Sequence, residues 1–181
     1  VKKSQLDQLI ALGSAGAAVD FVLDVPQTTP APPVNNYNNP DFTDPAVPLG
    51  QTWVNAPYYL EAEGARIESW RGWWLDRMIN SEANIQEKMT LFWHNHFSVN
   101  DINDPKFLYR YIALLRGAAL GNFRQLVKDI TVDPTMLRFL NGNQNTRTAP
   151  NENYARELQE LFTIGKGPQS GPGDYTNYTE T

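Results

Sequence analysis

Two of the three Asp-Pro steps, Asp104-Pro105 and Asp133-Pro134, constrain this chain more than any other feature. In each, an aspartate able to accept from the free N–H groups of a first helical turn precedes a proline. The proline's fixed φ and missing donor suit the first helical position. Phe107, Leu108, Tyr111, Ile112 and Leu115 keep helical spacing after the first step, and a shorter helix after the second stops at Asn141-Gly142. The same signals recur along the chain. Asn122 is placed to cap a helix carrying Phe123, Leu126, Val127 and Ile130, and Asn151 to cap a helix ending at Gly165. Pro57 reads as the first residue of a helix with Ile67, Trp70, Trp74 and Met78 along one stripe. Ser81 reads as the next N-cap, followed by Ile85, Met89, Phe92 and His96. No run alternates strictly enough for a strand. The expectation is an all-α domain of about seven to eight helices spanning residues 1–181.

The first third of the chain is different. Residues 4–24 read as two short helices, the first opened by Ser4 with Asp7 three residues on, and Pro26 ends the second. Eight of the thirteen prolines then fall between Pro26 and Pro57, among Asn35, Asn36, Asn38 and Asn39. Proline removes ladder donors, so residues 26–56 are expected to form an extended, irregular surface loop. With 181 residues and 41% hydrophobic side chains, the chain can build a core without staples. It contains no cysteine, which excludes disulfides, Cys-ligated zinc and thiol catalysis. A net charge of −5 argues against a general binder of nucleic-acid backbones. No apolar run approaches a transmembrane span.

Two polar constellations can carry chemistry. Both histidines lie in Trp93-His94-Asn95-His96-Phe97. His-x-His is a metal-ligand spacing on strands, whereas on a helix two residues diverge by about 200°. His94 and His96 can therefore hold one divalent metal together only if the helix breaks near Asn95, while a metal or haem held by one of them alone is a separate possibility. The alternative is a hydrogen-bonded core His96 and a surface-lining His94. The second constellation opens the last helix: Asn151, Glu152, Asn153, Arg156 and Glu157. If this face meets the histidines, His96 or Glu157 can act as general base and Arg156 can hold an anion. Asn95, Asn151, Glu152 and Asn153 would then orient a ligand. If it does not, the same residues are a network that fixes packing. Asn141, Asn143, Asn145 and Glu152 fit positions of a calcium loop, but Thr146 stands where glycine is needed. Trp70, Trp73 and Trp74 among Arg66, Arg71 and Arg77 read as core with a cation–π rim.

The order of these motifs resembles the bacterial family called domain of unknown function 1800. The resemblance is carried by Glu87 to Phe97, by Ala119 to Phe123, and by Asp133-Pro134 with Met136 and Phe139-Leu140. Pro150-Asn151-Glu152-Asn153-Tyr154-Ala155-Arg156-Glu157-Leu158 through Gly165 and Asp174-Tyr175-Thr176 complete it. It implies a larger, exported protein, often encoded beside a second exported family of unknown function and sometimes carrying adhesion-type repeats. It further implies that this chain is a fragment, without the family's His- and Arg-containing opening and C-terminal half. Expected partners are therefore that missing half and another exported protein. The resemblance implies no activity, so enzyme, ligand-binding protein and structural module of the cell exterior all stand as expectations.

Overall fold

The structure, a computed structural model, describes residues 2–24, 29–100 and 102–165. Among these, the chain forms eight α helices and no sheet. They are α1 (Lys3–Ala11), α2 (Ala15–Leu23), α3 (Leu60–Asn80), α4 (Gln86–His96), α5 (Pro105–Gly117), α6 (Phe123–Thr131), α7 (Pro134–Phe139) and α8 (Glu152–Phe162). The expected all-α class holds.

The capping logic accounts for three of the helix starts, and Asn151 precedes α8 without a side-chain bond to its first turn. Asp104 accepts from the backbone of Lys106 and Phe107, Asn122 from Gln125, and Asp133 from Thr135. Each pins a donor that the helix itself cannot satisfy. Other boundaries differ from expectation. Helix α1 opens one residue early, where Gln5 reaches back to the backbone N–H of Lys2, so Ser4 is not its cap. Helix α3 starts at Leu60, three residues after Pro57, whose carbonyl accepts from Arg66. Asn84, not Ser81, accepts from the first turn of α4. Helix α8 stops at Phe162, and the backbone then turns through Gly165 at φ 68°.

Helix α5 is the centre of the packing. It lies against α3, α4 and α7, and buries Tyr111, Ile112 and Leu115. The Tyr111 hydroxyl donates to the carbonyl of Phe97 at 2.6 Å, which ties α5 to the end of α4. Trp70 and Trp74 of α3, Leu126 and Ile130 of α6, Met136 of α7, and Tyr154 and Phe162 of α8 complete one continuous core. On α4 the expected stripe is not the buried one. Gln86, Glu87 and Thr90 are buried, while Phe92 is 51% exposed. The periodicity marked the helix correctly, but its partners, α3 and α5, select a polar face.

The Pro/Asn-rich segment, expected as an irregular surface loop over residues 26–56, carries no helix or strand among its described residues, yet it is anchored on α3. Residues 25–28 lie outside the described residues; from residue 29 onward the chain wraps against α3, and Asn35, Asp44, Val47 and Trp53 are buried. Asn35 organises it: its side chain donates to the Val47 carbonyl and accepts from the backbone of Tyr37 and Asn38. Trp53 donates to the Ser69 hydroxyl, which in turn donates to the carbonyl of Val34. Proline-rich backbone without strand or helix thus meets its polar obligations through side chains. At the other extreme, α1 and α2 bury no residue fully. Their links to the rest include Gln5 to the Ser81 carbonyl and the Ile85 amide to the Val22 carbonyl.

Candidate functional site

Helix α4 runs unbroken through His96, so its two imidazoles diverge. His94 packs edge-on to the Trp74 ring with centroids 4.9 Å apart, and burial pushes its pKa below the usual histidine value. His96 turns instead into a box of aromatic rings from Trp93, Phe97, Phe123 and Phe162. Its Nε2 lies 2.7 Å from the carbonyl oxygen of Phe162. A carbonyl only accepts, so Nε2 carries the proton in this contact.

The contact has a local cause. Phe162 is the last residue of α8, and its carbonyl is one that an α helix leaves without an internal donor. The amides of Thr163, Ile164 and Gly165 all turn back to the Gln159 carbonyl. His96 supplies a donor to the Phe162 carbonyl from another helix, at the end where the helix dipole favours one.

The amide-rich opening of α8 lies about 16 Å from this point along the helix axis, at 1.5 Å per residue. Asn151 is engaged there by its own surroundings. Its side chain donates to the Asn141 carbonyl at 3.0 Å, and its backbone to Asn145. Glu152 is exposed, as is Asn95 on α4. Between the two ends, Arg156 donates to Glu160 at 2.9 Å and to Asn153 and Glu157, all on its own helix. The structure therefore joins His96 to α8 at the end remote from Asn151. It gathers Asn153, Arg156, Glu157 and Glu160 into one half-buried cluster, and it leaves His94 against α3. Among the described residues, no three His, Asp or Glu side chains gather in a way that could hold a metal ion.

The densest buried polar site is elsewhere, and sequence reasoning missed it. Arg66 of α3 is 0% exposed. Its Nε and Nη2 donate to one oxygen of Asp44 at 3.0 and 2.8 Å, and its Nη1 donates to Glu63 at 2.8 Å and to the Pro57 carbonyl at 2.9 Å. Tyr37 donates to the same Asp44 oxygen, and the Ala46 amide to the other. Burial alone would raise the Asp44 pKa, but the Ala46 amide, Tyr37 and Arg66 together hold it below the usual carboxylate value. Burial and the Asp44 carboxylate push Tyr37 up to about 12. Asp44 lies in the proline-rich segment, 22 residues before its partner, and no spacing rule links the two. This cluster has its donors and acceptors engaged with one another, apart from Glu63 Oε2. It fastens the proline-rich segment to α3.

A second missed pair joins α4 to α5: Arg116 Nε donates to Glu87 at 2.7 Å. Glu87 is 6% exposed, and its other carboxylate oxygen has no protein partner. No described helix is both long and apolar enough to cross a membrane. No curated protein and no solved structure matches the chain. A family model described as "Protein of unknown function (DUF1800)" matches residues 1–181, and the chain belongs to that family.

Proposed function

We propose that this DUF1800 chain is a non-catalytic helical binding module of the cell exterior. In this reading His94, His96 and the polar face of α8 hold the helices together and take no part in chemistry. The observation that carries it is the 2.7 Å contact between His96 Nε2 and the Phe162 carbonyl. Held as a donor to that carbonyl, Nε2 cannot itself act as general base or metal ligand, and only Nδ1 keeps a lone pair. Arg156 supports the same reading, because Asn153, Glu157 and Glu160 of its own helix already occupy its donors. The exterior location, and partnership with further parts of its own chain and another exported protein, rest on the family resemblance of the motif order.

His96→Ala tests the reading. Losing a half-buried hydrogen bond and leaving a helix-terminal carbonyl without its donor should cost about 1–3 kcal/mol. The purified wild type should carry no stoichiometric zinc, iron or haem. The opposite pattern is one metal or haem per chain, lost in His96→Ala at unchanged stability. It would make this helix end a metal centre. Fractionation of cells expressing the full-length protein checks the location, and a cytosolic pool alone would refute it.

A further inference from the structure

Helices α1 and α2, nine residues each, form a hairpin held by different means from the rest of the fold. Each helix is locally complete. Gln5 accepts from the Lys2 amide at the start of α1, Gly13 turns the chain at φ 76°, and Ser14 caps α2 by accepting from Ala17. Neither helix buries a residue fully, and each packs more on the other than on any helix outside the pair. Among the described residues, two hydrogen bonds join the hairpin to the remaining chain. Gln5 donates to the Ser81 carbonyl at 2.7 Å, and the Ile85 amide donates to the Val22 carbonyl at 3.1 Å. Both end on the connector between α3 and α4.

The space between hairpin and connector is also poorly filled. Two clefts, of about 390 and 430 Å³, each have Gln5 on one wall and Ser81 to Asn84 on the other. Leu9 and Val22 line the first from the hairpin, and Met78, Ile79 and Leu91 line it from α3 and α4. Side chains that border open space lack the partner atoms that dense packing supplies. The chain beyond the hairpin is fastened otherwise. Trp73 donates to the Ala31 carbonyl at 2.8 Å, Asn35 is buried, and Arg66 holds Asp44.

We propose that α1 and α2 form a lid that opens from the α3–α4 connector as one unit, uncovering Met78 and Leu91 while α3 to α8 stay folded. Few buried contacts and few hydrogen bonds mark the parts of a fold with the lowest local stability. Isolated helices this short are marginal in water, so both lose their order once the hairpin leaves its support. Opening and melting of the pair are therefore one event. This lid depends on neither the His96 contact nor the non-catalytic reading.

The test is native-state hydrogen exchange of the whole chain in rising urea, read amide by amide by NMR. Amides of α1 and α2 should share one opening equilibrium and exchange about a hundredfold or more faster than those of α5. That opening should depend less steeply on urea than global unfolding does, because it exposes less surface. Gln5→Ala removes the bond to Ser81 and should speed exchange about three- to tenfold in α2, which does not contain the change, with α5 unaltered. The chain has no cysteine, so Leu91→Cys supplies a single thiol beneath the hairpin. Its labelling should quicken by the same factor when Gln5→Ala is added. Exchange of the hairpin and α5 in one global step, unrelated opening of α1 and α2, or exchange in α2 and thiol labelling unmoved by Gln5→Ala would overturn the proposal.

Discussion

Replacing Arg66 with methionine removes the guanidinium while keeping a side chain of similar length. The wild-type Arg66 and Asp44 side chains are both 0% exposed. Methionine therefore leaves a carboxylate buried without its cation, a change that typically costs about 3–5 kcal/mol. Asp44 keeps two donors, the Tyr37 hydroxyl and the Ala46 amide, and Glu63 keeps the Tyr59 amide. Those remaining bonds place the expected loss near the lower end, about 3 kcal/mol. For a chain of this size, each kcal/mol shifts the melting temperature by about 2–4 °C, so a drop of roughly 6–12 °C should appear in a thermal scan.

The loss should depend on pH in a defined direction. The Asp44 pKa lies below 3.8 in the folded state, so the carboxylate stabilises the fold above that value. That contribution disappears as pH falls through the folded pKa. The gap between wild type and Arg66→Met should therefore be widest near neutrality and narrow in acid. Asp44→Asn combined with Arg66→Met should cost less than the sum of the two single changes. A single-variant loss below about 1 kcal/mol, the worth of an exposed ion pair, would refute the claim that this cluster fastens the proline-rich segment to α3.

Three further outcomes follow from individual residues. Gly142→Ala should destabilise by about 1–3 kcal/mol in urea titrations, because its Cβ would sit 2.7 Å from the Tyr154 ring and 2.8 Å from Leu137; a neutral result would mean that Tyr154 moves freely there. Tyr111→Phe removes the donor to the Phe97 carbonyl and should cost about 1–3 kcal/mol, with no change in overall helicity by circular dichroism. Burial holds the His94 pKa below 6.5, so the unfolded state takes up protons first as pH falls; stability should decline below about pH 6.5, and His94→Gln should flatten that decline in thermal scans at stepped pH.

What the sequence disclosed divides by range. Helix existence, and the caps at Asp104, Asn122 and Asp133, depend on contacts within four residues, and these were legible. Which face of a helix is buried depends on its neighbours. On α4 the apolar spacing of Ile85, Met89 and Phe92 indicated one face, while α3 and α5 bury Gln86, Glu87 and Thr90. The anchoring of the Pro/Asn-rich segment was not legible for the same reason, since beside its local turns at Asn35 it depends on Arg66 and Ser69 of α3. At the candidate site, the sequence picked out the histidine that meets α8. It placed the meeting at the amide-rich start, because Asn151 and Asn153 are conspicuous and the backbone carbonyl of Phe162 is invisible in a sequence.

The claim that His96 ties the end of α8 to α4 through Nε2 rests on which ring nitrogen bears its proton. Long-range nitrogen–proton correlation spectra of the labelled chain report this directly, with and without added zinc. The geometry predicts a proton on Nε2, slow exchange with solvent, and ring nitrogen shifts unchanged by the metal. A neutral ring protonated on Nδ1, or zinc-dependent shifts that vanish in His96→Ala, would contradict it.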